Sequence, residues 1–339
     1  MMIEEAAVYP SSVEEKPHPF NRADRALILH LQRLSTEDGP GIRTTVFFKG
    51  CPLQCEWCHN PESISFKPQV HWLETRCIGC GLCIQACPTG SLSKHGDTLE
   101  RNWELCTACG KCAGECPAGA QEMLGHEVTL KELLAELVKD SVYYDKSGGG
   151  VTLSGGEPLL QPLFAANLLK ALKENGIHTA IDTCGLCSPS ALEQVLLYTD
   201  MILYDIKEID TARHRELTGQ DNHRILDNLL LVRDHLKAHP GKTLWVRTPL
   251  IPGATAGRRT IERIGGYLHN NLGSAFQRWE LCAFNNLCRD KYRRLEMDWK
   301  YSTTGLLSRE ELADIEAIAR GSGPDPAIVF ATGAIRVES

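Results

Sequence analysis

Three cysteines in one short stretch, Cys51-Pro-Leu-Gln-Cys55-Glu-Trp-Cys58, carry the first suggestion of chemistry in this chain. Thiolates at CxxxCxxC spacing can reach three corners of a [4Fe–4S] cube, leaving the fourth iron without a protein ligand. An iron with a free coordination position can bind a small molecule and pass it an electron. Three structural cysteines are the bland alternative. It is weak, because Gly50, Pro52 and the polar Gln54, Glu56 and His59 make this a loop and not an apolar core segment.

A second set of cysteines follows. Cys77, Cys80, Cys83 and Cys87, with Pro88 next, are repeated as Cys106, Cys109, Cys112 and Cys116, with Pro117 next. Written twice, this is the bacterial ferredoxin pattern, in which the fourth cysteine of each run ligates the other run's cluster. One cluster is therefore expected on Cys77, Cys80, Cys83 and Cys116, the other on Cys87, Cys106, Cys109 and Cys112. Paired CxxC motifs also hold zinc, but four evenly spaced cysteines and a proline, repeated, argue against it.

Such groups must be placed by a scaffold. Ala26–Leu31 and Thr44–Phe48 read as strands, the second leading into the Cys51 loop. Beyond the repeat, helical spacing at Leu130–Val138, Leu163–Leu172, Ala191–Tyr198, Arg224–Ala238 and Arg259–Asn270 alternates with strands at Val151–Ser154, Ala180–Asp182, Met201–Lys207, Leu244–Arg247 and Trp279–Phe284. Alternation of this kind implies βαβ crossovers and a parallel sheet, with ligands gathered beyond the C-terminal strand ends. Candidate chemical residues fall at those ends. Gly155-Gly156-Glu157-Pro158 lets a backbone approach a ligand closely and offers groups for an amino acid's amino group; a plain strand-to-helix turn is the alternative. Asp182-Thr183 and Asp205-Ile206-Lys207 end the next strands, where simple capping of a strand end is equally available.

The run from Ser35-Thr-Glu-Asp-Gly-Pro-Gly-Ile-Arg43 through Cys51, Cys55 and Cys58 to His59-Asn-Pro-Glu62 resembles the radical S-adenosylmethionine (SAM) enzymes, and among them the activating enzymes of glycyl radical enzymes. The resemblance covers nearly the whole chain. It implies an α/β fold: a partial (β/α)6 barrel with a bacterial-type two-cluster ferredoxin domain inserted between its first strand and first helix. The expected divisions are a leader at 1–24, the first part of the barrel at 25–72, the insert at 73–121 and the rest of the barrel at 122–339.

The resemblance also implies an oxidoreductase with three [4Fe–4S] clusters, one binding SAM and two auxiliary. Reductive cleavage of SAM gives a 5′-deoxyadenosyl radical, which takes hydrogen from a glycine Cα of a large partner enzyme. Cys51, Cys55 and Cys58 hold the SAM cluster, Gly155, Gly156 and Glu157 meet the amino group, and Lys207 meets the carboxylate. Asp182, Thr183, Asp205 and the backbone near Leu203 hold a monovalent cation beside it. Arg247 lies near SAM and Asn60 near the adenine. Asn285 stands where many relatives carry a SAM-contacting histidine. Cys184, Cys187, Cys282 and Cys288 receive no chemical role and are read as structural or incidental. A flavodoxin or ferredoxin is the expected electron donor, and a monomer the expected state. Action on a small molecule or peptide is the competing enzymatic reading, and a non-catalytic electron-transfer protein the competing non-enzymatic one.

Composition narrows the classes. Fifteen cysteines without a basic-then-apolar start point to metal ligation in a reducing, cytoplasmic setting, not to disulfides. A net charge of −7 and the lack of any long apolar run argue against nucleic-acid and membrane partners.

Overall fold

The computed structural model describes residues 21–96 and 98–336. Most of the leader expected at 1–24 lies outside the described residues. In chain order the strands are β1 (Arg25–Ser35), β2 (Arg43–Phe48), β3 (Gln69–Trp72), β4 (Leu92–His95), β5 (Thr98–Arg101), β6 (Gln121–Leu124), β7 (His126–Thr129), β8 (Gly150–Gly155), β9 (His178–Thr183), β10 (Met201–Asp205), β11 (Thr243–Leu250), β12 (Arg278–Ala283) and β13 (Val329–Thr332). Nine of them form one sheet in the order β13-β12-β11-β10-β9-β8-β2-β1-β7.

From β2 to β13 every neighbouring pair is parallel. Helices Pro162–Glu174, Pro189–Leu196, His223–Ala238 and Arg258–Leu272 occupy the connections, as parallel crossovers require. Strands covered on both faces lose the polar–apolar alternation of a one-sided sheet. Accordingly, every residue of β2 is buried, and Val151 and Leu153 of β8 are fully so. Local signals start the helices: Pro162 and Pro189 occupy first-turn positions, and Thr129 with Glu132 forms a capping box before helix Leu130–Val138.

The first strand read from the sequence departs from the parallel expectation. β1 runs antiparallel to both β2 and β7, because the short 36–42 connection leaves no room for a crossover helix. Helices Thr211–Thr218, Arg289–Arg294 and Arg309–Arg320 and strand β13 are additions to the sequence reading.

Residues 69–124 lie off the main sheet. β3 and β6 pair antiparallel as a stem, with Trp72 opposite Gln121, and the Leu73 N–H closes it on the Ala120 carbonyl at 2.7 Å. β4 and β5 form a hairpin beyond the stem. This region has its own small core of Val70, Leu92 and Cys112. Away from the stem, Trp103 Nε1 donates to Glu296 Oε2 at 2.9 Å. A cleft of ≈ 550 Å³, holding none of the motif residues, separates Thr98–Arg101 from Asp290, Arg293 and Arg294.

Candidate active site

The C-terminal ends of β2 and β8 to β12 meet around one cavity of ≈ 270 Å³. Cys51, Cys55 and Cys58 form one side of it. Ser154 and Gly155 end β8 and Gly156 follows it, Asp182 and Thr183 end β9, Asp205 ends β10 with Lys207 just beyond, Arg247 comes from β11, and Cys282 from β12.

The cysteine loop is fixed mainly by its own backbone. The N–H groups of Gln54 and Glu56 donate to Thr218 and Leu217 at 2.8 and 3.1 Å, and Cys51 N–H donates to Ile64 at 3.1 Å. Burial pushes the Cys55 thiol up to about 12, with Lys207 pulling the other way, and also raises the Cys58 thiol well above its ordinary value. Such thiols keep their protons unless a metal replaces them. Among the described residues no three His, Cys, Asp or Glu side chains converge on a single-ion position; here the thiols ring a space. That donor set, with one side open to the cavity, fits a cluster held at three irons.

Glycine at 155 and 156 answers to packing as well as to any ligand. A Cβ on Gly156 would lie 2.1 Å from the Gly50 carbonyl oxygen, and Gly155 has a φ of +105°. The Gly156 and Glu157 N–H groups donate to Phe48 and Gly50 at 2.8 Å each. Both N–H groups are thus already spent within the protein.

Charges across the cavity are interlocked. Lys207 pairs with Asp205 and is nearly buried. Burial works against its charge, but Asp205 and then Cys55 and Cys184 outweigh it, and its pKa is raised. Asp182 accepts the Ser154 hydroxyl at 2.7 Å and faces Arg247 at 3.6 Å. Burial nevertheless drives its carboxyl up to about 7, with Asp205 adding to the rise and Arg247 opposing it. Arg247 also approaches Glu280 at 3.2 Å, and Arg278 holds the other Glu280 oxygen at 2.8 Å.

The side chains of two candidate residues, Glu157 and Asn285, do not line the cavity. Glu157 is fully buried beneath the cavity, where its carboxylate accepts Thr183 Oγ1, Cys184 N–H and Leu159 N–H. Asn285 is not among the lining residues; its side-chain oxygen caps the Leu287 N–H at 3.2 Å. In that wall stand His59, whose Nε2 is buried without a partner, and Phe284. Cys184 and Cys282, given no role from the sequence, also line the cavity.

Residues 284–301 brace the cysteine loop from outside. Trp299 Nε1 donates to the Glu56 carbonyl at 3.0 Å and Tyr292 Oη to the Cys58 carbonyl at 2.9 Å. Lys291 holds Asn60 Oδ1 at 2.8 Å and Glu62 at 2.6 Å. Trp57, Phe284, Tyr292, Trp299 and Tyr301 pack as one cluster, with Tyr292 and Trp299 stacked at 4.9 Å. The run of aromatic residues after β12 was the signal available in the sequence.

Off the main sheet, the cysteines sort into two groups. Cys77, Cys80, Cys83 and Cys116 surround one small cavity, while Cys87, Cys106, Cys109 and Cys112 surround another. Each run thus lends its fourth cysteine to the other's group. Those two donors share a setting: Cys87 accepts the Ser91 N–H at 3.3 Å, and Cys116 accepts the Ala120 N–H at 3.2 Å. Slight burial opposes thiolate formation at Cys87, but hydrogen bonds from Ser91 and Thr89 bring its pKa down to about 6. Cys116 is lowered by backbone N–H groups in the same way.

The family described as "4Fe-4S single cluster domain" matches residues 37–226. The choline trimethylamine-lyase activating enzyme of Oleidesulfovibrio alaskensis is 40% identical, over 87% of this chain and 95% of that protein. The trans-4-hydroxy-L-proline dehydratase activating enzyme of Clostridioides difficile is 38% identical, over 87% of this chain and 96% of that protein. An isethionate sulfite-lyase activating enzyme of O. alaskensis is 43% identical, over 80% and 87% respectively.

Proposed function

Because this chain belongs to the activating enzymes of glycyl radical enzymes, we propose that its cavity works on a glycine loop of one large partner, with a cluster on Cys51, Cys55 and Cys58 and with SAM as cosubstrate. The observation that carries the reading is the meeting of that thiol triplet with Gly155, Gly156, Asp182, Asp205, Lys207 and Arg247 in one cavity. When bound, cluster and SAM supply the radical chemistry; the protein supplies orientation and dryness.

Carbonyl oxygens near Gly155 and Gly156 receive the amino group, and Lys207 Nζ receives the carboxylate. A monovalent cation near Asp182, Thr183, Asp205 and the Leu203 backbone would relieve the repulsion that lifts Asp182. The Asn60 amide, oriented by Lys291, borders the adenine. Arg247, anchored by Glu280, keeps a positive charge beside Asp182. The Glu157 carboxylate acts from below, and the histidine absent at Asn285 has no side-chain substitute from that residue.

We read the seven parallel strands as a partial (β/α)6 barrel with one added edge strand, and residues 73–121 as a two-cluster ferredoxin insert. The two cysteine groups support two auxiliary clusters there. These would relay electrons from a flavodoxin or ferredoxin, or seat the partner. Among the described residues no helix is long and apolar enough to cross a membrane. The protein is read as a cytoplasmic monomer.

The test is to mix reduced protein and SAM, without oxygen, with the glycyl radical enzyme encoded beside it. A doublet EPR signal on the partner is expected, with its splitting lost when glycine is deuterated at Cα. No such signal with any partner, together with rapid SAM consumption beside a small metabolite, would replace this reading with a small-substrate one.

A further inference from the structure

The two cysteine groups off the main sheet are built alike but not charged alike. Trp72 ends β3 five residues before Cys77, and Arg101 ends β5 five residues before Cys106. Trp72 lines the cavity of the Cys77 group, and Arg101 lines that of the Cys106 group. At matching positions of a repeated pattern, one group meets a neutral indole and the other a guanidinium.

Arg101 is held against its group. Its Nη1 donates to Cys106 Sγ at 3.5 Å, its Nη2 donates to Gln121 Oε1 at 2.6 Å, and its guanidinium carbon lies 5.3 Å from the centre of the Trp103 ring. None of these partners is a carboxylate, so the positive charge is not cancelled where it meets the sulfur. Hydroxyls widen the difference. Ser91 Oγ and Thr89 Oγ1 lie 3.2 and 3.6 Å from Cys87 Sγ. The matching positions after Cys116 are Ala118 and Ala120, which have none to offer.

Cations near the Cys77 group are spent or solvated. Arg76 is paired with Glu122. A Cβ on Gly79 would lie 3.5 Å from Lys94 Nζ, but Lys94 is exposed, and neither cation lines that cavity. Trp72 Nε1 is buried with no partner among the described residues, and it is a neutral donor.

We propose that Arg101, with Ser91 and Thr89 on the opposite ligand, makes the cluster on Cys87, Cys106, Cys109 and Cys112 the more easily reduced of the two. Arg101 is a positioning residue here, not a ligand. Reduction adds one electron, and so one negative charge, which a cation and donors at the ligand sulfurs stabilise. A charged donor does so about twice as strongly as a neutral one. The electron comes from the external donor, which is oxidised by one electron, and no proton moves. An electron entering at the Cys77 group would settle on the Cys106 group, whose neighbour Trp103 reaches the rest of the molecule at Glu296. The inference rests on the reading of this region as a two-cluster insert.

The experiment is an EPR-monitored redox titration of the iron-loaded, full-length protein, following the two signals that do not respond to SAM. Arg101→Gln should make one of those clusters about tenfold harder to reduce, a shift of ~59 mV to lower potential for one electron, and leave the other in place. Arg101→Lys, which keeps the charge, should recover most of the shift. The Cys77→Ala background assigns the signal, because the cluster it retains is the one on Cys106 and must carry the shift. An unchanged potential in a fully loaded Arg101→Gln protein overturns the proposal, as does a Lys variant shifted as far as the Gln one. Should Arg101→Gln fail to load iron, the unsubstituted Arg101 protein decides: the cluster retained in Cys77→Ala must be the first of the pair to be reduced, and if it is the second the proposal is overturned. If the protein holds only about four irons and shows no signal indifferent to SAM, the two-cluster reading itself fails and takes this inference with it.

Discussion

The phenol of Tyr292 donates a 2.9 Å hydrogen bond to the main-chain carbonyl of Cys58, across 234 residues of sequence. One residue of the cysteine loop is thereby tied to the segment that follows β12. Tyr292 is 5% exposed, so the bond is shielded from water.

Removing that hydroxyl with Tyr292→Phe leaves the stacked ring in place and the Cys58 carbonyl short of a partner. The expected cost is about 1 kcal/mol, felt locally as faster loss of the SAM-site cluster in air. Bleaching of the iron–sulfur absorbance, compared with wild type, measures it. Equal bleaching rates would show that this brace does not guard the loop.

Lys207 has two partners in prospect, Asp205 and the SAM carboxylate. Lys207→Met removes the positive end and leaves Asp205 uncompensated, so SAM affinity should fall by about 10- to 100-fold, the worth of one or two charged hydrogen bonds. Equilibrium binding of SAM to the iron-loaded variant checks this. Undiminished affinity would mean that the carboxylate is held elsewhere, with Arg247 the next candidate.

In the folded chain the Asp182 carboxyl is held up to about 7 by burial, against about 4 in an unfolded chain. Between those limits the native state binds the additional proton, so this group's contribution to stability declines as pH rises from about 4 to about 7 and is level above that. Asp182→Asn should therefore gain on wild type as pH rises. Thermal unfolding of both proteins at about pH 5 and about pH 8 makes the comparison. A wild-type-to-variant difference that does not change with pH would remove Asp182 as its source.

Cys77→Ala is expected to lower the iron content by about four atoms out of about twelve while sparing the SAM site. Dithionite, a small reductant, should still support some SAM cleavage, and activation of the partner should slow. Loss of SAM binding in a folded Cys77→Ala protein would contradict a relay role for this cluster.

The parallel sheet was legible because Leu130–Val138 and later helices alternate with short apolar strands, and because Gly155, Asp182, Asp205 and Arg247 sit at or just past strand ends. Contacts between neighbouring strand ends were not. Ser154 reaching Asp182, or Glu157 reaching Thr183 and Cys184, depends on register and rotamer, which spacing along one strand does not encode. Asn285 looked available by position, but a one-residue turn of the backbone spends its oxygen on Leu287. The bracing by Tyr292 and Trp299 was visible only as an aromatic run after β12; its partners, Cys58 and Glu56, lie 234 and 243 residues away along the chain.

The stem formed by β3 and β6 bears on how such a chain can change over time. Its two strands enter and leave side by side, with Trp72 facing Gln121, so their Cα atoms stand ~5 Å apart. Everything between them could be excised and the gap bridged by a two-residue turn without disturbing the main sheet. Such a stem would let the cysteine-rich region be gained, lost or exchanged as a single unit. Its remaining ties to the rest of the molecule, such as Trp103 to Glu296, are then later refinements that a graft would be free to lack.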